Sequence, residues 1–410
     1  MKKKFVDNLR LDWLFISVLF ALIVIGITLV YSATNNPAID WYKTYWFKQI
    51  VHFAIGLVIA ILIALMPANF WKNAAIPLYI LAVGALILVA DSGHISKGAG
   101  RWIDIAGFRF QPSEFSKIAY LLASSLWLSK HSISLEKPQT LIFPFLLFIV
   151  PFALVLKQPN LSTALVFIAM TLAQFYWAGF RLVDLFLLCS PFMSVIFSAT
   201  SELYWRLLII CVFFLSIKFK CPIWLISILL VVNIGGGYAS SAAWYNMEDH
   251  QRSRILTFID PMRDPKGEGY QVIQSQVAVG SGGIFGKGFG EGSQTNLSFL
   301  PEEHTDFIFS VLGEQFGFVG AFVVITLFFV LLLRSIMICR LHPDKFVNLV
   351  VVGACSILFF HTLVNIAMTV GLMPVTGLPL PFLSYGGSFV LTCMILVGLL
   401  MNMRLKGGEV

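Results

Sequence analysis

An apolar run from Leu11 to Ala33 lies near the start of the chain and contains one charged residue, Asp12. Runs of about 18 or more apolar residues have the length of a membrane-crossing helix. This run is too long for a removable signal peptide and lacks the small-residue cleavage site of one. Comparable runs follow it, so that 58% of the residues are hydrophobic and only 12% are charged. A soluble core cannot enclose so much apolar surface, and we predict a polytopic, all-α integral membrane protein.

We predict twelve candidate membrane spans in a single membrane domain that covers residues 1–410. The predicted spans are 11–33, 46–66, 74–91, 113–130, 140–156, 161–179, 182–199, 205–217, 222–239, 306–333, 346–371 and 384–403. Segment 205–217 is short for a full crossing. The polar stretch 240–305 interrupts the series and is predicted to form one large loop outside the cytoplasm.

Basic residues predict the orientation of the spans, because cytoplasmic loops are enriched in lysine and arginine. Four basic residues within segment 1–10 place the N-terminus in the cytoplasm, and an even number of spans places the C-terminus there too. If segment 205–217 did not cross, Lys218 and Lys220 would fall outside, against this rule. The net charge of +7 does not indicate nucleic-acid binding, because most basic residues flank the spans.

Polar residues cluster at the outer ends of several predicted spans. Glu114 and Lys117 are three positions apart at the start of the fourth span, where they can form an ion pair. Lys48 opens the second span, and His304 and Asp306 lie where the chain re-enters the membrane. Each of these residues alone has a structural explanation, such as a cap, a snorkelling lysine or a satisfied pair. Together they indicate a polar cavity that faces outward.

The glycine-rich stretch VGSGGIFGKGFGEG resembles a phosphate-binding loop only superficially. Ser281 and Gly288 stand where such a loop needs a glycine and a serine or threonine. We expect its glycines to form close backbone turns, with N–H groups available to a phosphate. No pair of histidines or cysteines has the spacing of zinc ligands, and we predict no dedicated metal site. The six cysteines all fall in predicted spans or cytoplasmic loops, so no disulfide is predicted in the long loop.

The charged stretch FIDPMRDPKGEGYQ lies within the predicted outer loop. Asp260 and Asp264 each precede a proline, which holds the preceding residue extended. An aspartate on such a braced loop over a polar cavity can act as a general base. The residues alone do not decide between the two aspartates, and an ordinary turn capped by aspartate explains the pattern equally well. The neighbouring basic residues could hold an anion, and these are Arg252, Arg254, Arg263 and Lys266.

Five segments of this chain resemble the SEDS family (shape, elongation, division and sporulation). They read KGAGRWIDIAGFRFQPSEFSKIAYLL, KQPNLSTALV, QRSRILTFIDPMRDPKGEGYQVIQSQVAVGSGGIFGKGF, LSFLPEEHTDFIFSVLGEQFGFVG and NIAMTVGLMPVTGLPLPFLSYGGS. They occur in the family's order, from about residue 45 to the C-terminus. The elongation-type members are the most similar, because division-type members usually carry asparagine at the position of Asp260. Both branches share the second aspartate, so the resemblance assigns the catalytic role to Asp264.

The resemblance implies a peptidoglycan glycosyltransferase for cell elongation in the bacterial cytoplasmic membrane. Such an enzyme polymerises lipid II, a disaccharide-pentapeptide on undecaprenyl pyrophosphate, at the outer face of that membrane. The implied substrate-binding residues are Lys48, Arg101, Trp102, Glu114, Lys117, Tyr270, Gln271, Ser275, His304, Asp306 and Ser384. The implied partners are a class B penicillin-binding protein and other membrane proteins of the elongation complex. A divalent cation, Mg²⁺ or Mn²⁺, could bridge the pyrophosphate and a carboxylate.

Two other classes of function remain open at the level of sequence. A lipid II flippase would share the spans and the basic cavity, but its polar path would continue to the cytoplasmic side. A non-catalytic scaffold of the wall-synthesis complex would leave Asp264 dispensable. The chain also departs from the family in two places. Asn160 stands where the family usually has aspartate, and twelve predicted spans exceed the usual ten by a pair within 182–239.

Overall fold

The computed structural model describes residues 12–34, 40–92, 102–105, 108–158, 160–246, 252, 256–258, 260–264, 267–296 and 302–406. Its helices, in chain order, are α1 (Trp13–Thr34), α2 (Tyr45–Leu65), α3 (Ala68–Ser92), α4 (Pro112–Lys130), α5 (Ile142–Lys157), α6 (Leu161–Trp177), α7 (Leu182–Thr200), α8 (Glu202–Lys218), α9 (Ile223–Asn246), α10 (Glu268–Ser281), α11 (Ser293–Asn296), α12 (Ile308–Ile336), α13 (Lys345–Thr369) and α14 (Gly387–Lys406).

The helices confirm a polytopic membrane protein. Each of the twelve predicted spans coincides with one of the helices α1–α9 and α12–α14. Within the described residues, nine helices are long and apolar enough to cross a membrane. Helices α6 and α8 have 17 residues each, fewer than the about 20 that a full crossing needs. The span count and the extra pair within 182–239 therefore stay predictions.

The structure corrects three details of the prediction. Helix α3 begins at Ala68, six residues before the predicted start at 74, and contains Pro77. Helix α9 continues to Asn246, so the long loop begins later than residue 240. The segment before α4 forms a small antiparallel hairpin, in which β1 (Ile103–Ile105) pairs with β2 (Phe108–Phe110). Alternation of apolar and polar residues over only three positions is too short a signal to predict these strands.

Helices α13 and α14 form the centre of the bundle. In the most apolar stretch of each helix, 72% of the residues of α13 and 78% of those of α14 are buried, against 17% in α9. Helix α2 packs along α14, α4 packs against α3 and α13, and α12 packs against α1 and α13. Polar residues on α4 and α13 are consequently enclosed by protein rather than by lipid.

Helices α7, α8 and α9 pack mainly against one another. Polar side chains hold them together at membrane depth, where interhelical hydrogen bonds have little competition from water. The Trp205 indole donates to Ser194 Oγ at 2.7 Å, and Asn233 Nδ2 donates to Ser190 Oγ at 2.9 Å. These three helices share a second apolar cluster with Leu128 and Phe175 of the main bundle.

Ion pairs join helix ends on the side of the bundle where α1 begins and α14 ends, called here the terminal side. Asp12 Oδ2 accepts from Arg334 Nε at 2.8 Å and lies 3.0 Å from Arg404 Nη1. The opposite side, called here the loop side, holds the turn before α12 and the segment before α14. There the Gln49 side chain donates to the Ser384 carbonyl at 3.0 Å.

Candidate active site

A lysine is enclosed near the loop-side end of α4. The Lys117 side chain has 0% of its surface exposed, and its Nζ donates to Glu114 Oε1 at 2.8 Å. The predicted i, i+3 ion pair is therefore present. Nζ also lies 3.2 Å from His361 Nε2 on α13 and 5.8 Å from the centre of the Phe389 ring on α14. A buried charge persists only when such partners offset its lost hydration.

A second group of predicted residues gathers around Tyr45, the first residue of α2. The His304 ring stacks on the Tyr45 ring with centroids 4.5 Å apart, and Lys48 Nζ lies 5.9 Å from the same ring. Ser384 Oγ donates to the Thr305 carbonyl at 2.6 Å. Burial lowers the pKa of His304, and the nearby charge of Glu302 only partly opposes this. His304 is therefore neutral at pH 7.

Asp264 lies at the end of a short 3₁₀ turn, Pro261–Arg263, and is partly buried. Its Oδ1 accepts from the Gly267 N–H at 2.9 Å, and its carbonyl accepts from the Gly269 N–H at 3.1 Å. A Cβ on Gly267 would lie 2.0 Å from Asp264 Oδ2. The position of this carboxylate therefore requires glycine at 267.

Asp260 behaves differently from Asp264. It is exposed, and its Oδ1 accepts from the Met262 N–H at 3.1 Å as the cap of the 3₁₀ turn. A capping role accounts for this side chain without any chemistry. Each aspartate therefore accepts from a backbone N–H of its own turn, and the two differ in burial, since Asp260 is exposed and Asp264 is partly buried.

Helix α10 connects the Asp264 turn to the membrane bundle. Tyr270 and Gln271 lie half-buried in its first turns. Ser275 is fully buried, and its hydroxyl donates to the Thr369 carbonyl at 2.7 Å and lies 2.6 Å from Ser310 Oγ. These contacts anchor α10 to the loop-side ends of α12 and α13.

Asp306 lies in the turn before α12, and its carbonyl accepts from Asn365 Nδ2 at 2.9 Å. The same amide donates to the Leu378 carbonyl at 2.8 Å, which ties this turn to the segment before α14. Asn365 and His361 are one helical turn apart on α13. The Asp306 region is thereby connected to the helix face that contacts Lys117.

The remaining predicted residues are scattered or lie outside the described residues. Trp102 is 40% exposed beside the hairpin. Arg252 donates to the Tyr245 carbonyl at 3.2 Å, and Arg263 is exposed. Arg101, Arg254 and Lys266 lie outside the described residues. The described contacts of the predicted residues form two groups, Glu114 with Lys117 and Lys48 with His304 and Ser384. In its described contacts Asp264 is apart from both groups, and it accepts from the backbone of Gly267 and Gly269.

The glycine-rich stretch packs against a break in α12, and two of the N–H groups that we expected to be available to a phosphate bond to the protein instead. At Gly317 the helix backbone turns to φ 62°. The N–H groups of Lys287 and Gly288 donate to the carbonyls of Glu314 and Gln315 at 3.0 and 3.1 Å. Backbone groups freed by a helix break need such partners inside a membrane. The expected close turns are confirmed by positive φ angles at 283, 286, 288 and 290.

Two glutamates accompany this break. Glu314 is fully buried, and its Oε1 accepts from Lys287 Nζ at 2.8 Å and from the Gln294 N–H at 3.0 Å. Burial, with a smaller contribution from the charge of Glu314, raises the pKa of Glu303 to about 8. Glu303 is therefore mostly protonated at pH 7.

Asn160, where the family usually has aspartate, is the N-cap of α6. Its Oδ1 accepts from the Thr163 N–H at 3.2 Å. An aspartate oxygen could accept the same bond, so the substitution preserves the cap and removes a charge.

Sequence reasoning missed several residues of these groups. His361 and Asn365 are polar residues within an apolar helix, a pattern that often marks a functional position in a membrane protein. Glu314 follows the same pattern in α12. Tyr45 gave no such signal, nor did Tyr385, whose ring centre lies 4.9 Å from that of Tyr45, because aromatic residues are common at both membrane surfaces. Among the described residues, no group of three or more His, Cys, Asp or Glu side chains is arranged to hold a metal ion.

Comparisons with known proteins agree with this architecture. The model of the FtsW/RodA/SpoVE family, described as cell cycle proteins, matches residues 12–214 and 200–407. The chain belongs to this family. It is 34% identical over 403 residues to the peptidoglycan glycosyltransferase MrdB of Escherichia coli K12, covering 98% of this chain and 96% of that protein. It is 32% identical over 428 residues to the peptidoglycan glycosyltransferase RodA of Treponema pallidum, covering 96% and 98%.

Two solved structures share the fold. One belongs to a peptidoglycan synthase complex described as coordinating polymerisation and crosslinking, with a TM-score of 0.69 and 30% identity over 96% of this chain and 97% of that one. The other is the rod shape determining protein RodA of Thermus thermophilus, with a TM-score of 0.63 over 96% of each chain. At 24% identity, this second match supports the fold alone.

Proposed function

We propose that this chain is a peptidoglycan glycosyltransferase that polymerises lipid II for cell elongation. Family membership and the near-full-length relatives named for this activity support the reaction class. The observation that carries the mechanism is a fully buried, ion-paired lysine near the loop-side end of α4, on the same side as a glycine-braced aspartate. An aspartate can accept a proton from one substrate, and a lysine can stabilise the anion that leaves the other. The two groups together therefore suit a glycosyl transfer.

Lys117 is suited to the leaving group. During transfer, the bond between the anomeric carbon and the undecaprenyl pyrophosphate breaks, and its electron pair leaves with the pyrophosphate. A fixed ammonium in a water-poor site stabilises that charge more strongly than one in water. Lys117 lies five residues, or about 8 Å, inside the start of α4, within reach of a headgroup at the membrane surface. Glu114 holds the ammonium through the 2.8 Å contact.

Asp264 is suited to the acceptor. The acceptor hydroxyl attacks the anomeric carbon and gives its proton to the Asp264 carboxylate, which is the role of a general base. The hydrogen bond from the Gly267 N–H fixes one carboxylate oxygen. The half-buried Tyr270 and Gln271 follow directly on α10, where they could contact the sugars. Trp102 and the His304–Ser384 group complete the proposed surface of the cavity.

The remaining expectations belong to the same proposal. Both termini are placed in the bacterial cytoplasm by the positive-inside rule. A class B penicillin-binding protein is the proposed partner, which the similarity to a synthase complex supports. A divalent cation, Mg²⁺ or Mn²⁺, would supply positive charge to the pyrophosphate, and a carboxylate of the site would hold it, since hard cations prefer oxygen ligands. Chelation with EDTA, followed by return of either ion, tests the requirement.

Reconstitution with lipid II tests the proposed reaction. The chain and its penicillin-binding partner are placed in liposomes, and both glycan length and lipid II movement across the bilayer are measured. Long glycans support the glycosyltransferase. Lipid II movement without polymer would make the chain a flippase, and neither activity from a folded chain that still binds its partner would make it a scaffold.

A further inference from the structure

His361 lies between the loop-side segment and the buried lysine. It is fully buried on α13, and it is 244 positions from Lys117 in the sequence. Its Nδ1 lies 3.3 Å from the Pro379 carbonyl, and its Nε2 lies 3.2 Å from Lys117 Nζ. A carbonyl only accepts hydrogen bonds, so Nδ1 carries the proton and Nε2 presents a lone pair. That lone pair accepts from the lysine ammonium.

This arrangement fixes the direction of the ammonium. A lysine ammonium has three N–H donors. Within the described residues, Glu114 Oε1 and His361 Nε2 accept from two of them. With two directions fixed, the third N–H has a defined direction. Without the histidine, a single partner would leave the ammonium free to rotate about the contact with Glu114.

The histidine itself is held by the segment that carries Pro379. Leu378, the preceding residue, accepts from Asn365 on the same face of α13. Ser384, farther along, is bonded to the Thr305 carbonyl and to Gln49 on α2. The position of the segment 378–384 is therefore transmitted to Lys117 through one imidazole ring.

We propose that His361 is a positioning residue, which aims the Lys117 ammonium at the pyrophosphate of the substrate. This inference rests on the proposed function of Lys117. The alternative is a core histidine whose only role is packing, because its ring also lies 4.7 Å from the Phe389 ring. The two roles differ in whether an accepting atom at Nε2 matters.

Four variants separate these roles. His361→Leu removes the acceptor and fills its place with an apolar side chain. His361→Gln instead offers an amide oxygen in place of Nε2. Thr362→Val is the matched control on the same helix, because the Thr362 hydroxyl donates to the Leu358 carbonyl within α13. Lys117→Met gives the effect of losing the ammonium. The thermal unfolding of all four variants in detergent is compared with that of the wild type.

Two readouts are measured on the folded variants. The first is the kcat and KM for polymerisation of lipid II, and the second is the affinity for inorganic pyrophosphate. We expect His361→Leu to lower kcat by about tenfold or more and to weaken pyrophosphate binding by about tenfold. His361→Gln should recover most of both losses, and Thr362→Val should match the wild type.

Each other outcome overturns a specific statement. Unchanged kcat and pyrophosphate affinity in His361→Leu, or losses as large in His361→Gln as in His361→Leu, would reduce His361 to a packing residue. If His361→Leu does not fold, His361→Gln decides alone: unfolding or inactivity in it also contradicts the proposal. If the wild type makes no polymer but binds pyrophosphate through Lys117 and His361, the proposed function fails and the positioning role stands.

Discussion

The two polar regions at the loop side are held in different ways. Lys117 is enclosed by α4, α13 and α14, and its contacts come from residues far apart in the chain. Asp264 is partly exposed, and its described bonds come from residues within five positions of it. Packing between helices fixes the first group, whereas the described bonds of Asp264 are to the backbone of its own turn. For the proposed roles, the leaving-group contact thus lies in the packed bundle and the acceptor contact lies on a local turn.

Replacing Asp264 should have the largest effect. Asp264→Asn removes the proton acceptor but keeps an oxygen that can accept from the Gly267 N–H, so the turn should persist. We expect polymerisation to fall about 10²- to 10⁴-fold, the range for losing a general base. Asp260→Asn, which preserves a cap, should stay within about threefold of the wild type. Equal activity of the two variants in a glycan-length assay would contradict the assignment.

Replacing Lys117 should affect both activity and stability. Lys117→Met leaves the buried Glu114 without its cation, and breaking a buried pair in this way costs about 3–5 kcal/mol. Polymerisation should fall about 100-fold. The double variant Glu114→Gln/Lys117→Met should regain much of the unfolding temperature without regaining activity. If activity returns together with stability, the lysine has only a structural role.

Replacing Gly267 should have an intermediate effect that is confined to the acceptor end. Gly267→Ala places a Cβ about 2 Å from Asp264 Oδ2, which must then move. We expect about a tenfold loss of kcat, because small displacements of a catalytic group are costly. The control is Gly280→Ala in α10, where an added Cβ meets nothing within 4 Å. Equal kcat in both variants would show that the carboxylate position is not critical.

The smallest expected effect is a pH dependence of stability from Glu303. Its pKa is raised from an ordinary value of 4.5 to about 8 in the folded protein. The folded state therefore binds the proton more tightly, so this contribution is full below about pH 4.5 and is lost as pH rises toward 8. Glu303→Gln should flatten the decline in unfolding temperature between pH 5 and 8, relative to Glu302→Gln at the neighbouring exposed position. An unchanged slope would refute the raised pKa.

Local patterns in the sequence predicted much of the fold and part of the site. Long apolar runs predicted the positions of the helices α1–α9 and α12–α14, because the length of an apolar run is a local signal that does not depend on the rest of the chain. The Glu114–Lys117 pair was predictable for the same reason, since three positions along a helix place both side chains on one face. The residue pattern alone could not choose Asp264 over Asp260; the family resemblance made that choice, and in the structure each carboxylate accepts from a backbone N–H of its own turn.

Contacts between distant segments could not be predicted in this way. His361 reaches Lys117 only because α13 packs against α4, a pairing that no local pattern encodes. Gly317 lies within an apolar helix, so the sequence gives no sign of the break there. The break accompanies the packing of the backbone at Gly286 against Gly317, a contact between distant segments. The N–H groups of Lys287 and Gly288, which we expected to be available to a phosphate, bond instead to carbonyls at that break.

The most direct test is lipid II binding and polymerisation measured side by side for Asp264→Ala and Lys117→Met. Both variants are reconstituted with the penicillin-binding partner, and fluorescent lipid II reports binding. We predict that Asp264→Ala binds lipid II as the wild type does and makes no glycan, whereas Lys117→Met binds about tenfold more weakly. Polymerisation by Asp264→Ala, or an equal loss of binding in both variants, would contradict the division of the site into a proton acceptor and a pyrophosphate clamp.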